Sequence, residues 1–142
     1  MQQLIEFAGN HLFLVLALFV VLALLIQNLL ASSGKFSVQP AGATDLINRE
    51  DAVVVDVRPM NDFSKGHIIN AINIPSNSLK NQLGQLEKDK DKPIIMACRS
   101  GAQSSAACKV LRKEGFEKVY NLHGGMLAWE SANLPVSRKR KK

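Results

Sequence analysis

The chain has 142 residues, 46% of them apolar, and a formal net charge of +6. At ~100 to 200 residues per domain, that length allows one domain and excludes two. Two cysteines, nine glycines and five prolines exclude a disulfide-stapled, collagen-like or disordered chain.

Residues 1–11 form a short leader with one Glu and no Lys or Arg. Residues 12–26 are all apolar, and up to Ala31 only Gln27 and Asn28 are polar. A helix of ~20 such residues crosses ~30 Å of hydrocarbon, so residues 12–31 are predicted to span a membrane, with His11 at its interface. A cleaved signal peptide ending near Ala31, Ser32 and Ser33 is the alternative, but such peptides carry a positive leader and a shorter apolar core of ~7 to 15 residues. A buried core helix would be apolar on one stripe, not all round. All 18 Lys and Arg residues follow this segment. That bias predicts a single-pass inner-membrane protein with its N-terminus outside and the rest in the cytoplasm. Two cysteines without an evident pairing partner fit a reducing compartment.

Residues 32–35 read as a linker, and the remaining length is enough to bury roughly two-thirds of its surface in one domain, 36–136. Strands are expected at 36–38, 52–57, 71–74, 93–97 and 119–121. The β-branched run Val53, Val54, Val55 has the pattern of a parallel strand buried on both faces. Helical patterns fall at 40–48, 79–86, 104–114 and 126–131, and the alternating charges of 87–92 read as a solvated loop. This alternation predicts an α/β fold, a parallel sheet with helices on both faces.

Cys98 follows the apolar run 93–97 and precedes Arg99, Ser100, Gly101, Ala102, Gln103 and Ser104, where a helical pattern opens. It therefore stands at the carboxyl end of a strand, where parallel sheets bind ligands and where a tight loop aims backbone N–H groups at one point. The helix dipole and Arg99 both favour the thiolate there. The bland alternative is a small buried side chain at a strand end.

Three blocks, DVRPMNDFSKGHIINAINIP from Asp56, CRSGAQS from Cys98 and GFEKVYNLHGGMLAW from Gly115, together resemble the single-domain rhodanese-like sulfurtransferases. They span most of 36–136; the N-terminal helix and the basic tail, 137–142, lie outside the likeness. The resemblance implies a rhodanese fold with a five-stranded parallel sheet and Cys98 as the residue that carries sulfur. It also implies that Asp56 and Arg58 order the pocket around the loop, and that Gly66, His67 and Ile68 brace the turn before the next strand.

The chemistry expected is a two-step transfer. Cys98 thiolate attacks the outer sulfur of a donor such as thiosulfate, a stable anion leaves, and the persulfide passes its sulfur to a thiol or protein acceptor. Backbone N–H groups of residues 99–104 are the expected donors to the anionic sulfur. Gly101 suits a loop that needs positive φ. No metal or organic cofactor is required. Gln103 stands where many relatives have a basic or threonine residue, which removes one charge that could hold thiosulfate. Asn70 replaces a glycine common in that block.

Cysteine phosphatases share such a cradle, but they need an arginine six residues after the cysteine, a position held here by Ser104. Cys108, on the apolar side of a helix, reads as packing rather than a resolving thiol. His67 and His123 lack metal-ligand spacing. Trp129 is expected to pack the last helix. The last five residues are all Lys or Arg and carry +5 of the +6 charge. The domain is thus no specific nucleic-acid binder, while the tail suits anionic lipid, RNA or an acidic partner, the alternative being a solubilising terminus with no dedicated partner. The alternative to catalysis is a membrane-tethered, noncatalytic docking module on the same fold.

Overall fold

A computed structural model describes residues 1–33 and 36–138. The first part holds two helices, α1 (Gln2–Asn10) and α2 (Leu12–Ser33). Between them His11 leaves helical geometry, at φ −123° and ψ 39°. Residues 2–10, expected only as a leader, are therefore helical. α2 has 22 residues, ~33 Å at 1.5 Å per residue. From Leu12 to Leu29 it is long and apolar enough to cross a membrane, and none of that stretch is buried.

The second part begins at Phe36. Its elements are β1 (Ser37–Val38), α3 (Pro40–Glu50), β2 (Val53–Asp56), α4 (Met60–Lys65), β3 (His67–Ile68) and β4 (Ile72–Asn73). There follow β5 (Ile94–Ala97), α5 (Ala102–Lys113), β6 (Val119–Leu122), α6 (Gly125–Ser131) and β7 (Val136–Ser137). Five strands form one parallel sheet in the order β1-β6-β5-β2-β4. β3 and β7 pair antiparallel in a separate ribbon.

Because side chains alternate along a strand, each central strand feeds two cores. Val55, Ile94, Met96 and Cys98 pack with Ala107, Cys108 and Leu111 of α5. Val54, Ile95 and Ala97 pack on the other face with Ala43 of α3, Phe63 of α4, and Met126 and Trp129 of α6. The expected helices on both faces are therefore present. Trp129 is 4% exposed, and its indole donates to the Pro135 carbonyl at 3.0 Å.

Two expectations are corrected. The stretch 79–86 is not an α-helix; a turn at 79–82 leads into a 3₁₀ segment at Leu83–Asp89. Three residues per turn put Leu83, Leu86 and Asp89 on one side, so apolar spacing that suggested an α-helix is met by the tighter turn. Nor is 87–92 wholly solvated. Asp89 is 7% exposed, and Lys92 Nζ lies 2.9 Å from Asp51 and 3.5 Å from Asp89.

Asn70 has φ +66°, the left-handed region that asparagine tolerates better than most residues, in the turn closed by Ala71 N–H to the Ile68 carbonyl. Of the basic tail, Ser137 lies in β7 and Arg138 Nε donates to the Lys65 carbonyl at 3.1 Å. Residues 34 and 35 of the linker, and residues 139–142, lie outside the described residues.

Candidate active site

β5 is the middle strand of the sheet, and Cys98 is the first residue past its carboxyl end. The helix that follows starts at Ala102, two residues before the expected Ser104, with Gly101 as its N-cap at φ +101°. Ala102, Gln103 and Ser104 thus supply the first-turn amides that a helix leaves without an intrahelical acceptor.

The loop folds back on the thiol. Gly101 N–H donates to Cys98 Sγ at 3.0 Å, and Ser104 Oγ lies 3.3 Å from the same sulfur. Cys98 is 1% exposed, whereas Arg99, Ser100, Ala102 and Gln103 are exposed and form the rim through which a reactant must pass. Burial alone pushes the Cys98 thiol up. The Ser104 hydroxyl and the backbone N–H groups of Ser104, Gly101 and Ser100 outweigh it, so its pKa lies below the ordinary value of 9.0. The other thiol is held the opposite way: burial drives Cys108 up to about 12.

The turn into α6 supports the loop from beneath. Met126 N–H donates to the Cys98 carbonyl at 2.8 Å, and Leu127 N–H to the Arg99 carbonyl at 3.1 Å. Gly125, at φ +58°, lies so close to this backbone that a Cβ on it would meet the Cys98 carbonyl oxygen and come within 2.7 Å of the Arg99 carbonyl. Gly125→Ala is therefore expected to cost about 2 to 4 kcal/mol, combining left-handed strain with overpacking. It should also slow Cys98 alkylation in the fraction that remains folded. Denaturant titration and an alkylation time course check both effects.

Asp56 and Arg58 stand at the end of the neighbouring strand. Arg58 Nε and Nη2 donate to both Asp56 oxygens at 2.7 to 3.1 Å, and Nη2 also reaches the Gly66 carbonyl at 2.7 Å. Asn73 Nδ2 clamps the same turn by donating to the Asp56 and Arg58 carbonyls at 3.0 and 2.9 Å. Among the described residues, these bonds run to Gly66 and Asn73, not to residues 98–104. Arg58 instead meets the loop across a cavity of about 290 Å³, where it faces Arg99 together with Lys65, Asp62 and Glu130. His67, next to Gly66 in the chain, is buried. Its ring stacks on Phe63 at 3.7 Å, and Nδ1 bonds to the Phe63 carbonyl at 2.8 Å.

Sequence reasoning missed Asn121. It lies on β6 beside Met96, accepts the Ser104 hydroxyl at 2.5 Å and donates from Nδ2 to the Gly101 carbonyl at 3.1 Å. A polar residue on a strand otherwise packed into the core was the available signal. Ser104, expected from the sequence to act through its backbone N–H, also brings its hydroxyl to 3.3 Å from the sulfur.

A cysteine in a backbone cradle after the central strand, buttressed by a Gly-Gly turn, agrees with a known family, whose rhodanese-like domain model matches residues 39–132. The chain belongs to the rhodanese-like domain family. It is 43% identical over 141 residues to the uncharacterized protein YibN of Escherichia coli K12, covering 97% of this chain and 99% of that one. It is 36% identical over 92 residues to the thiosulfate sulfurtransferase GlpE of Pseudoalteromonas translucida, covering 65% of this chain and 86% of that one. The crystal structure of a rhodanese-related protein from Thermoplasma volcanium superposes with a TM-score of 0.67 at 30% identity, covering 74% of this chain and all of that one. The rhodanese-like relatives thus include proteins named as sulfurtransferases.

Proposed function

We propose that this protein is a membrane-anchored sulfurtransferase that takes sulfane sulfur onto Cys98 as a persulfide and passes it to a thiophilic acceptor. The observation that carries this reading is the lowered thiol of Cys98, held 3.0 Å from the Gly101 N–H and 3.3 Å from the Ser104 hydroxyl. A docking surface has no use for a thiol poised in that way. Thiolate attack on a sulfane sulfur forms an Sγ–S bond as the donor's S–S bond breaks, and the bonding pair leaves with the donor anion. The terminal sulfur keeps one negative charge, and the amides of the loop and of the first turn of α5 are placed to hold it.

Thiosulfate is doubly anionic. Gln103 adds no charge on the rim, but Arg99 does, and Arg58 and Lys65 share its cavity. Arg99→Ala is expected to lower kcat/KM for thiosulfate about tenfold, mainly through KM, and to weaken the salt dependence of the reaction. Steady-state assays at two ionic strengths check this. The phosphatase alternative lacks its anion-gripping arginine: that position is Ser104, whose side chain is turned to the sulfur inside the protein.

The anchor is α2, and the absence of Lys and Arg before it supports a cytoplasmic domain. The charge of the basic C-terminal residues suits anionic lipid or an acidic partner. The test uses the full-length chain, reduced and in detergent, incubated with thiosulfate and separately with an organic persulfide. Intact mass should rise by one sulfur atom, and cyanide or a thiol should reverse the gain. Folded, reduced protein that gains nothing from either donor would overturn the reading.

A further inference from the structure

We propose that Asn121 is a positioning residue for Cys98: it holds the single hydroxyl proton of Ser104 when the sulfur is uncharged and yields it when the sulfur is a thiolate. This rests on the reading of Cys98 as a sulfur carrier. The argument starts from counting hydrogens. Ser104 Oγ is fully buried and lies within reach of three acceptors: Asn121 Oδ1 at 2.5 Å, the Gly101 carbonyl at 3.2 Å and Cys98 Sγ at 3.3 Å. A hydroxyl has one proton to give.

The amide of Asn121 can face only one way. Its Nδ2 sits 3.1 Å from the Gly101 carbonyl, so a flipped amide would set oxygen against oxygen there and NH₂ toward the serine. Oδ1 is thus fixed as an acceptor. The backbone on which it stands is fixed as well: Asn121 N–H donates to the Phe36 carbonyl at 2.7 Å, and the residue is in register with Met96 on β5.

With a neutral thiol the shortest contact keeps the proton, and Ser104 donates to Asn121. A thiolate is the strongest acceptor of the three, so the hydroxyl turns to it and Asn121 Oδ1 loses its donor. When the donor's outer sulfur bonds to Sγ and the anion leaves with the old bonding pair, Sγ is again uncharged and the negative charge sits one atom further out. The proton then returns to Asn121. When an acceptor nucleophile takes the terminal sulfur, the S–S electron pair stays on Sγ, and the hydroxyl turns back. Asn121 therefore favours the loaded persulfide over the empty thiolate.

The titratable and charged groups on the elements around Cys98 are Arg99 in the loop, the Asp56–Arg58 pair, Cys108, Lys109, Arg112 and Lys113 on α5, Tyr120 on β6, His123 after it and Glu130 on α6. None of them changes when Asn121 is replaced by an uncharged residue, so a shifted Cys98 titration reads the hydroxyl.

The test follows the pH dependence of iodoacetamide alkylation at Cys98 in the full-length chain, located by peptide mass. Asn121→Leu leaves Ser104 only the weaker carbonyl competitor at 3.2 Å, so the midpoint should fall by about half to one pH unit. Ser104→Ala should raise it, and Asn121→Leu added to Ser104→Ala should move it no further. Should the leucine variant not fold, Asn121→Ala adds no bulk and is expected to give the same sign. A midpoint that rises or stays put on loss of the Asn121 amide, or one that shifts equally with and without Ser104, overturns the assignment. Alkylation needs no sulfur donor, so a shifted midpoint in a protein that loads no sulfur would sink the carrier reading and leave the Asn121 contact to Ser104 standing.

Discussion

Cys98→Ala is expected to abolish sulfur loading from any donor, a loss on the order of a thousandfold or more, while leaving the fold intact. The substitution removes one sulfur atom from a well-packed core, and with it the acceptor of the Gly101 N–H, but the loop keeps its other ties. Gly101 is still held by Asn121 through its carbonyl, and the Cys98 carbonyl still takes the Met126 N–H. Cys108 cannot substitute. With its thiol pushed up to about 12, about one molecule in 10⁵ carries a thiolate there at pH 7. It is also 1% exposed and packed between α5 and the sheet. Intact mass after incubation with thiosulfate reads the outcome, and a sulfur gain that persists in Cys98→Ala would sink the assignment. The pH profile of the wild type gives a second reading. Loading should rise about tenfold per pH unit and level off below the ordinary thiol value, because the folded protein stabilises the thiolate.

The part of this site that belongs to one stretch of chain was legible in the sequence. A strand pattern ending at Cys98, a glycine three residues on and a helical pattern after it place a thiol in a cradle of amides by local rules alone. Asn121 stood out only as a polar residue on a core strand; its partner was not legible, because that role comes from the register of β6 against β5, a long-range pairing that no spacing within one segment encodes. The same holds for β3 and β7, two-residue strands from distant parts of the chain whose pairing sets His67 opposite Ser137. The α-helix expected at 79–86 failed for a related reason. Over so short a span, apolar residues three and four apart satisfy either helix type, and packing of Leu79 and Leu86 into the core decides between them.

Arg58→Ala should destabilise the domain by about 3 to 5 kcal/mol, more than any change to the rim of the loop. Asp56 is 1% exposed, and its charge is met by a two-pronged guanidinium whose nearest contact is 2.7 Å. Truncating the arginine leaves that carboxylate buried with only the Arg58 backbone N–H at 3.0 Å, which alanine at the same position retains. It also releases the Gly66 carbonyl, which ties the end of α4 to β2. Arg58→Lys keeps the charge but not the fork, so it should recover only part of the loss. Replacing both partners at once, Asp56→Asn with Arg58→Met, removes the unpaired charge and should be less damaging than Arg58→Ala alone. For a domain near 100 residues, the single substitution amounts to a fall in Tm of well over about 10 °C. Thermal scans of the full-length chain in one detergent compare all three variants. A fall of only about a degree or two in Arg58→Ala would mean that the pair is solvated in solution and does not hold β2 to the turn beyond it. The larger loss would mean that the pair supports the carboxyl end of the strand beside Cys98, so that sulfur loading by Arg58→Ala, measured well below its Tm, should fall far less than its stability does.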